Sequence, residues 1–211
     1  MEYNIFNSLI WKSKINYPNK NELIKIIEEK YKKNPNQTPK EWKCLIHSSF
    51  NRGFDLQNKY IEQDLLNVIE KNSNEFLNTY EKKLNICGKY YISNAWYNAY
   101  KGQQFQEPHT HGDALFSGCY YLKFNKEFHN QTIFYNPNFD LDYSKLKDNV
   151  YFCSTANCDE DDLIIFPSFL KHGTEGIKNK LSDNIRITIS FNIKNSNICC
   201  KKSNKNIINY V

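Results

Sequence analysis

Glycine and proline are scarce in this chain, with seven and six in 211 residues. None of the seven glycines forms a Gly-x-Gly-x-x-Gly or Walker loop, and no Gly-x-Ser-x-Gly nucleophile elbow occurs, so nucleotide cradling and serine-hydrolase chemistry through those devices are unsupported. No apolar run approaches the roughly 20 residues that cross a bilayer. The opening Met1-Glu-Tyr-Asn-Ile-Phe-Asn7 lacks the basic and apolar stretches of a secretory leader. The expectation is a soluble, cytoplasmic protein without a membrane partner. Cysteine is present but unpatterned: seven residues (44, 87, 119, 153, 158, 199 and 200), odd in number and irregular in spacing, give neither a disulfide framework nor a zinc ribbon. Reduced thiols are the simplest account. Charge of one sign is also lacking. The 28 basic and 23 acidic residues leave a net charge of +5, short of the clustered basicity that marks a nucleic-acid binder.

What the chain does hold is aromatic and aliphatic material, with 40% hydrophobic residues, 14 Phe and 15 Tyr. That is ample for a packed core in one domain of this length. The pattern changes along the chain. Up to about residue 85 the period is helical. In Asn21–Lys33 the residues Leu23, Ile24, Ile26, Ile27 and Tyr31 form one stripe, ended by the Pro35 and Pro39 segment. A second stretch, Ile61–Leu84, carries Leu65, Leu66, Val68, Ile69, Phe76, Leu77 and Tyr80, with Asn72-Ser-Asn74 as a candidate break. A buttress covering a sheet is favoured over a substrate lid.

After Asn85 the period is two. Tyr90–Tyr100, Leu115–Phe124, Gln131–Tyr135, Leu163–Phe166 and Ile185–Ile193 are short, aromatic and β-branched, and turn residues separate them. The expected fold is mainly β with N-terminal helices: a barrel, sandwich or jelly roll. It divides into a helical N-terminal segment over 1–85, a β core over 86–196 and a frayed tail over 197–211. The polar stretch Asn136–Asp162 reads as a long loop bordering a site.

Histidine is the informative residue. Of five, His109 and His111 lie in Gln106-Glu-Pro-His-Thr-His-Gly-Asp113, and His172 follows the Leu163–Phe166 strand. In extended chain, residues two apart share a face, so His109, His111 and Asp113 can converge, with His172 arriving from elsewhere. Imidazoles so arranged suit iron, zinc, copper or nickel, and an open face suits catalysis. His47 and His129 read as packing or surface residues. In Arg186-Ile-Thr-Ile-Ser-Phe-Asn192, alternation puts Arg186, Thr188, Ser190 and Asn192 on one face. A guanidinium beside hydroxyls there is equipped to grip a carboxylate. In Ser117-Gly-Cys-Tyr-Tyr-Leu122, Ser117, Cys119 and Tyr121 share a face, and the Tyr121 phenol offers that carboxylate another hydrogen bond.

An H-x-H, then Ser-Gly-x-Tyr-Tyr-Leu, then Phe-Pro-Ser-x-Leu-x-His, then Arg-Ile-x-Ile-Ser-Phe-Asn resembles the iron(II)- and 2-oxoglutarate-dependent oxygenases. More narrowly it resembles the prolyl-hydroxylase-related members of marine bacteria and phages. The resemblance covers about residues 90–194. It implies a double-stranded β-helix, the cupin-like jelly roll, buttressed by α-helices. It also implies Fe(II), 2-oxoglutarate and O2, with ascorbate as a reductant, and hydroxylation of a substrate with release of succinate and CO2. His109 and His172 match the iron-binding histidines, Arg186 the residue pairing with the far carboxylate of 2-oxoglutarate, and Tyr121 its phenolic partner. Ser190 falls near the cosubstrate, and Asn98 matches loosely a residue facing it. The wider superfamily has H-x-D where this chain has His109-Thr-His111. Two registers follow: His109, His111 and His172 as a three-histidine site, which is preferred, or Asp113 as the carboxylate ligand. A three-histidine hydrolase, a cupin-type dioxygenase independent of 2-oxoglutarate and a non-enzymatic jelly-roll binding module are the competing functions. The substrate, small molecule or peptidyl, is not written in the sequence, and a nucleic acid is not indicated.

Overall fold

The computed structural model describes residues 8–54, 56–84, 86–137, 153–175, 183–196 and 199–200. The tail beyond Cys200 and residues 138–152 of the expected long loop lie outside this set. In chain order the elements are β1 (Trp11–Lys14), α1 (Lys20–Lys33), β2 (His47–Ser48), a 3-10 turn (Phe50–Arg52), α2 (Lys59–Leu84), β3 (Ile86–Cys87), β4 (Tyr90–Tyr100), β5 (Gln106–His109), β6 (Phe116–Lys123), β7 (Thr132–Tyr135), β8 (Cys153–Thr155), β9 (Asp162–Pro167), β10 (His172–Thr174), β11 (Arg186–Asn195) and β12 (Cys199–Cys200). The larger sheet has six strands in the order β1-β9-β6-β11-β4-β2, the smaller four in the order β5-β10-β7-β8, and β3 pairs with β12. All pairings are antiparallel.

Alternation along the larger sheet sorts its residues onto two faces. Ile187, Ile189 and Phe191 of β11, Tyr120 and Leu122 of β6, and Leu163 and Ile165 of β9 pack in one cluster with Leu23 and Ile27 of α1 and Leu65 and Ile69 of α2. The helices are therefore a buttress. The stripe on α2 runs Ile61, Leu65, Ile69, Phe76 and Leu77, all buried. Asn72-Ser-Asn74 does not interrupt this helix, because Ser73 is buried in the stripe and the Asn72 amide folds back to donate to the Val68 carbonyl at 2.8 Å. The opposite face of the sheet supplies Cys119, Tyr121, Ile164 and Phe166 to a second cluster with Phe134 of β7. The Phe134 and Phe166 rings meet edge-on at 4.9 Å, joining the two sheets. Two antiparallel sheets facing each other over a core, with helices on the outer face of one, make a jelly roll.

Both edges of the larger sheet come from the segment before residue 85. β1 pairs with β9, and β2 with β4. The acidic run Asp159–Asp162 at the start of β9 receives β1: Lys14 pairs with Asp162 at 3.0 Å, while Lys20 reaches Glu160 at 2.6 Å and Asp161 at 2.7 Å. His47 and His129 are buried packing residues, His47 stacked on Tyr97 and His129 against Phe124. Among the described residues no helix is long and apolar enough to cross a membrane.

Candidate metal and cosubstrate site

β10 lies between β5 and β7 in the smaller sheet, and its register puts His172 directly opposite His109. Gly173 permits the close approach of these strands, since a Cβ there would meet the Gln106 carbonyl oxygen at 3.0 Å and Pro108 Cα at 3.2 Å. His111 follows two residues after His109, and its backbone N–H is held by the Ser168 carbonyl at 2.9 Å. The three imidazoles thereby meet: one nitrogen from each lies within 4.8 Å of the others. Stacking rings hold their planes, Trp96 on His111 at 5.7 Å and Trp42 on His109 at 6.5 Å.

The hydrogen bonds decide which nitrogens are free. His109 Nδ1–H donates to the Glu107 carbonyl at 2.8 Å, His172 Nδ1–H to the Leu170 carbonyl at 2.9 Å, and His111 Nδ1–H to Asn192 Oδ1 at 2.6 Å. Each ring is left with its Nε2 lone pair, and the Nε2 atoms of His109 and His111 face one another at 3.1 Å. Two lone pairs at that distance repel unless a cation sits between them. The residues present therefore fit a metal ion bound through three Nε2 atoms. Burial, with the neighbouring imidazoles, lowers His172 to about 3. Burial likewise brings His111 to about 4 against the opposing Asn192 hydrogen bond, and lowers His109. All three are neutral at pH 7, the state a metal needs.

Asp113 is not part of this group. Its carboxylate, 93% exposed, pairs with Lys194 at 2.5 Å. The physical reason lies in the turn after His111: Gly112 and Asp113 form it, with the Ala114 N–H reaching back to the His111 carbonyl at 3.4 Å, so the chain has turned away before Asp113 can align with the histidines.

Behind the triad lies a narrow cavity between the sheets, and its walls include Asn98, Thr132, Arg186, Thr188 and Ser190 along with the three histidines. Arg186 is 2% exposed. Its guanidinium carbon lies 4.9, 5.4 and 5.8 Å from the ring centroids of Tyr100, Tyr121 and Phe124. Its Nη2 donates to Thr132 Oγ1 at 3.2 Å, and its buried Nε has no partner. Among the described residues no carboxylate pairs with it. A guanidinium stays charged at any working pH, and an uncompensated buried charge costs several kcal/mol. This end of the cavity is built for an anion.

The other predicted residues take varied places. Ser190 and Asn98 both line the cavity on adjacent strands, 3.3 Å apart. The Asn98 amide is best satisfied with its nitrogen on Ser48 Oγ at 2.7 Å and its oxygen accepting from the Trp96 indole at 3.3 Å. Tyr121 lies one layer back: its phenol donates to Thr132 Oγ1 at 2.8 Å, and Thr132 is the residue on the cavity wall. Thr132, Tyr100, Trp96 and Asn192 are residues that sequence reasoning did not assign. Strand alternation placed Asn192 on the Arg186 face, a signal available but unused. Outside the triad a second and wider cavity is walled by Trp42, Phe50, Trp96, Glu107, Asn192 and others.

Comparison with known proteins agrees with this geometry. Residues 94–192, just under half of the chain, match the family model described as "Putative 2OG-Fe(II) oxygenase", 2OG being 2-oxoglutarate. Over residues 94–192 the chain is therefore similar to the 2OG-Fe(II) oxygenases. The matched segment starts inside β4 and ends in β11 at Asn192, so it holds the triad, Thr132 and Arg186. Similar solved structures include a viral collagen prolyl hydroxylase of Paramecium bursaria Chlorella virus-1 in complex with 2OG, at 18% identity and a TM-score of 0.53, covering 87% of this chain and 94% of that one. A Pseudomonas putida prolyl-4-hydroxylase is similar at 10% identity and TM-score 0.51, over 89% of this chain and 93% of that one. HygX of Streptomyces hygroscopicus, with nickel and 2OG bound, is similar at 9% identity and TM-score 0.53, over 89% and 83%. At these identities the structural likeness speaks for the oxygenase fold. No curated protein matches the chain by sequence.

Proposed function

We propose that the protein is a non-haem iron(II) hydroxylase in which His109, His111 and His172 hold the metal and Arg186 holds the far carboxylate of 2-oxoglutarate. The observation that carries this reading is the buried guanidinium: it shares one cavity with the triad, and among the described residues no carboxylate balances it. Bound together, the two groups supply oxidative decarboxylation of 2-oxoglutarate to succinate and CO2, with the second oxygen atom of O2 delivered to a substrate C–H bond. The chain's residues do the positioning. Arg186 and Thr132 offer N–H and O–H groups to a carboxylate, and Tyr121 fixes Thr132 through its own hydroxyl. The rings of Tyr100, Tyr121 and Phe124 keep water from the guanidinium, which strengthens its hold on an anion. The wider cavity beside His109 and His111 gives the prime substrate, small molecule or peptidyl, its approach, with Trp42 and Trp96 as its aromatic walls. A metal-dependent hydrolase would use the same three imidazoles but leave the charge of Arg186 without a purpose.

The test is succinate production from 2-oxoglutarate with Fe(II) and ascorbate, at first without prime substrate. Slow metal-dependent turnover is expected from the parental protein and none from His172→Ala. Iron uptake by the parental protein with no consumption of 2-oxoglutarate, with or without added candidate substrates, would favour the hydrolase.

A further inference from the structure

The three histidines are held in two different ways. His109 and His172 each donate Nδ1–H to a main-chain carbonyl two residues earlier, Glu107 and Leu170. A carbonyl only accepts, so the tautomer of those two rings is settled by their own strands. His111 has no such local acceptor. Its Nδ1 reaches across to β11 and the side chain of Asn192. An asparagine amide differs from a carbonyl in that it turns either an oxygen or an NH2 toward its neighbour. Turned one way it fixes the proton on Nδ1 and leaves Nε2 as a ligand. Turned the other way it fixes the proton on Nε2 and removes the ligand.

The structure has the first orientation, and a network of contacts accompanies it. Asn192 Oδ1 also accepts from Ser117 Oγ at 2.9 Å, and Ser117 Oγ lies 2.9 Å from Ser168 Oγ. Ser168 in turn accepts the His111 backbone N–H through its carbonyl. A closed ring of contacts thus runs His111, Asn192, Ser117, Ser168 and back to His111. Ser117 and Ser168 are buried. We propose that Asn192 is a positioning residue: through its amide oxygen it sets His111 in the Nδ1–H tautomer and so completes the three-nitrogen metal site. The proposal rests on the triad being a metal site, and its test separates the two ideas.

The experiment uses the full chain labelled with 15N-histidine. In the metal-free protein, long-range 1H–15N correlation reads the tautomer of each ring, and calorimetry then measures the affinity for nickel(II) alone. The parental protein should show Nδ1–H for His111, as for His109 and His172. Asn192→Leu should lose the single tautomer at His111 while the other two rings keep theirs, and should bind nickel 10- to 100-fold more weakly, the usual loss when a ligand's hydrogen-bond partner is removed. Asn192→Asp, which offers only acceptors, should keep the tautomer and bind nickel at least as tightly as the parental protein. An Nε2–H His111 in the parental protein overturns the proposal whether or not any variant folds. So does Asn192→Leu with an unchanged His111 spectrum and unchanged affinity. Nickel binding that is present but insensitive to residue 192 defeats this proposal alone, whereas no nickel binding by the parental protein defeats the metal site as well.

Discussion

Arg186 illustrates how one residue constrains the chemistry. The chain buries a permanent cation among aromatic rings, with a threonine hydroxyl on one nitrogen and nothing on Nε. Folding a charge in this way is unfavourable unless a bound anion completes it. Replacing it by alanine should weaken 2-oxoglutarate by about 1.5–3 kcal/mol, the range for a charge-assisted hydrogen bond, or roughly 10- to 150-fold. Metal affinity should stay as it was, because Arg186 is not one of the three ligands. A titration giving the parental affinity would remove it from the cosubstrate site. A second residue-scale prediction separates the two candidate registers. Asp113→Ala should retain the parental metal stoichiometry by metal analysis, since its carboxylate lies with Lys194 in solvent, and loss of metal would return Asp113 to the ligand set. Much of this was legible in the sequence. His109 and His111 stand two apart in extended chain, and Arg186 lies on the polar face of an alternating strand. Thr132 and Asn192 were not assigned, because a threonine beginning one strand and an asparagine near the end of another acquire roles only through partners from other strands.

At the scale of elements, the motif Ser117-Gly-Cys-Tyr-Tyr-Leu122 has a packing role as well as a chemical one. Gly118 pairs with Phe191 across β6 and β11. A Cβ at Gly118 would collide with the Phe191 ring, so the glycine is the floor on which that ring lies. Gly118→Ala should cost about 1–3 kcal/mol, as overpacking in a tight core does, read as a lowered urea midpoint. Unchanged stability would show that Phe191 has room to move. On α2, Leu65→Ala should cost about 2–5 kcal/mol, because Leu65 is fully buried under the larger sheet; a loss under 1 kcal/mol would contradict the buttress. The long strands β4, β6 and β11 were readable from their alternation, which spans eight or more residues in each. β1 and β2 were not. Trp11-Lys-Ser-Lys14 offers only one apolar residue, and its place at the sheet edge comes from ion pairs with Asp162 and the turn before it rather than from burial. β2 is two residues long and carries no period at all.

For the molecule as a whole, the jelly roll places two chemistries in one space: a neutral, cation-seeking triad at one end and a fixed positive charge at the other. Neutral buried histidines also make stability depend on pH. Burial holds His111 and His129 at about 4 and His172 at about 3 in the folded protein, against about 6.5 in an unfolded chain. Below pH 6.5 the unfolded state binds more protons, so stability falls as the pH drops from about 6.5 toward 4. Urea unfolding of the metal-free protein should therefore show a lower midpoint at pH 5 than at pH 7.5; equal midpoints would mean that these rings are already protonated or solvated in the fold.

The most direct measurement of the central claim is a calorimetric titration of 2-oxoglutarate, without oxygen, into the protein with and without Fe(II), repeated with Arg186→Ala. If the triad and the guanidinium hold the two ends of one molecule, binding is tight only when the metal and Arg186 are both present, and the loss of either weakens it at least tenfold. Binding of equal strength with and without iron, or with and without the guanidinium, would contradict the account.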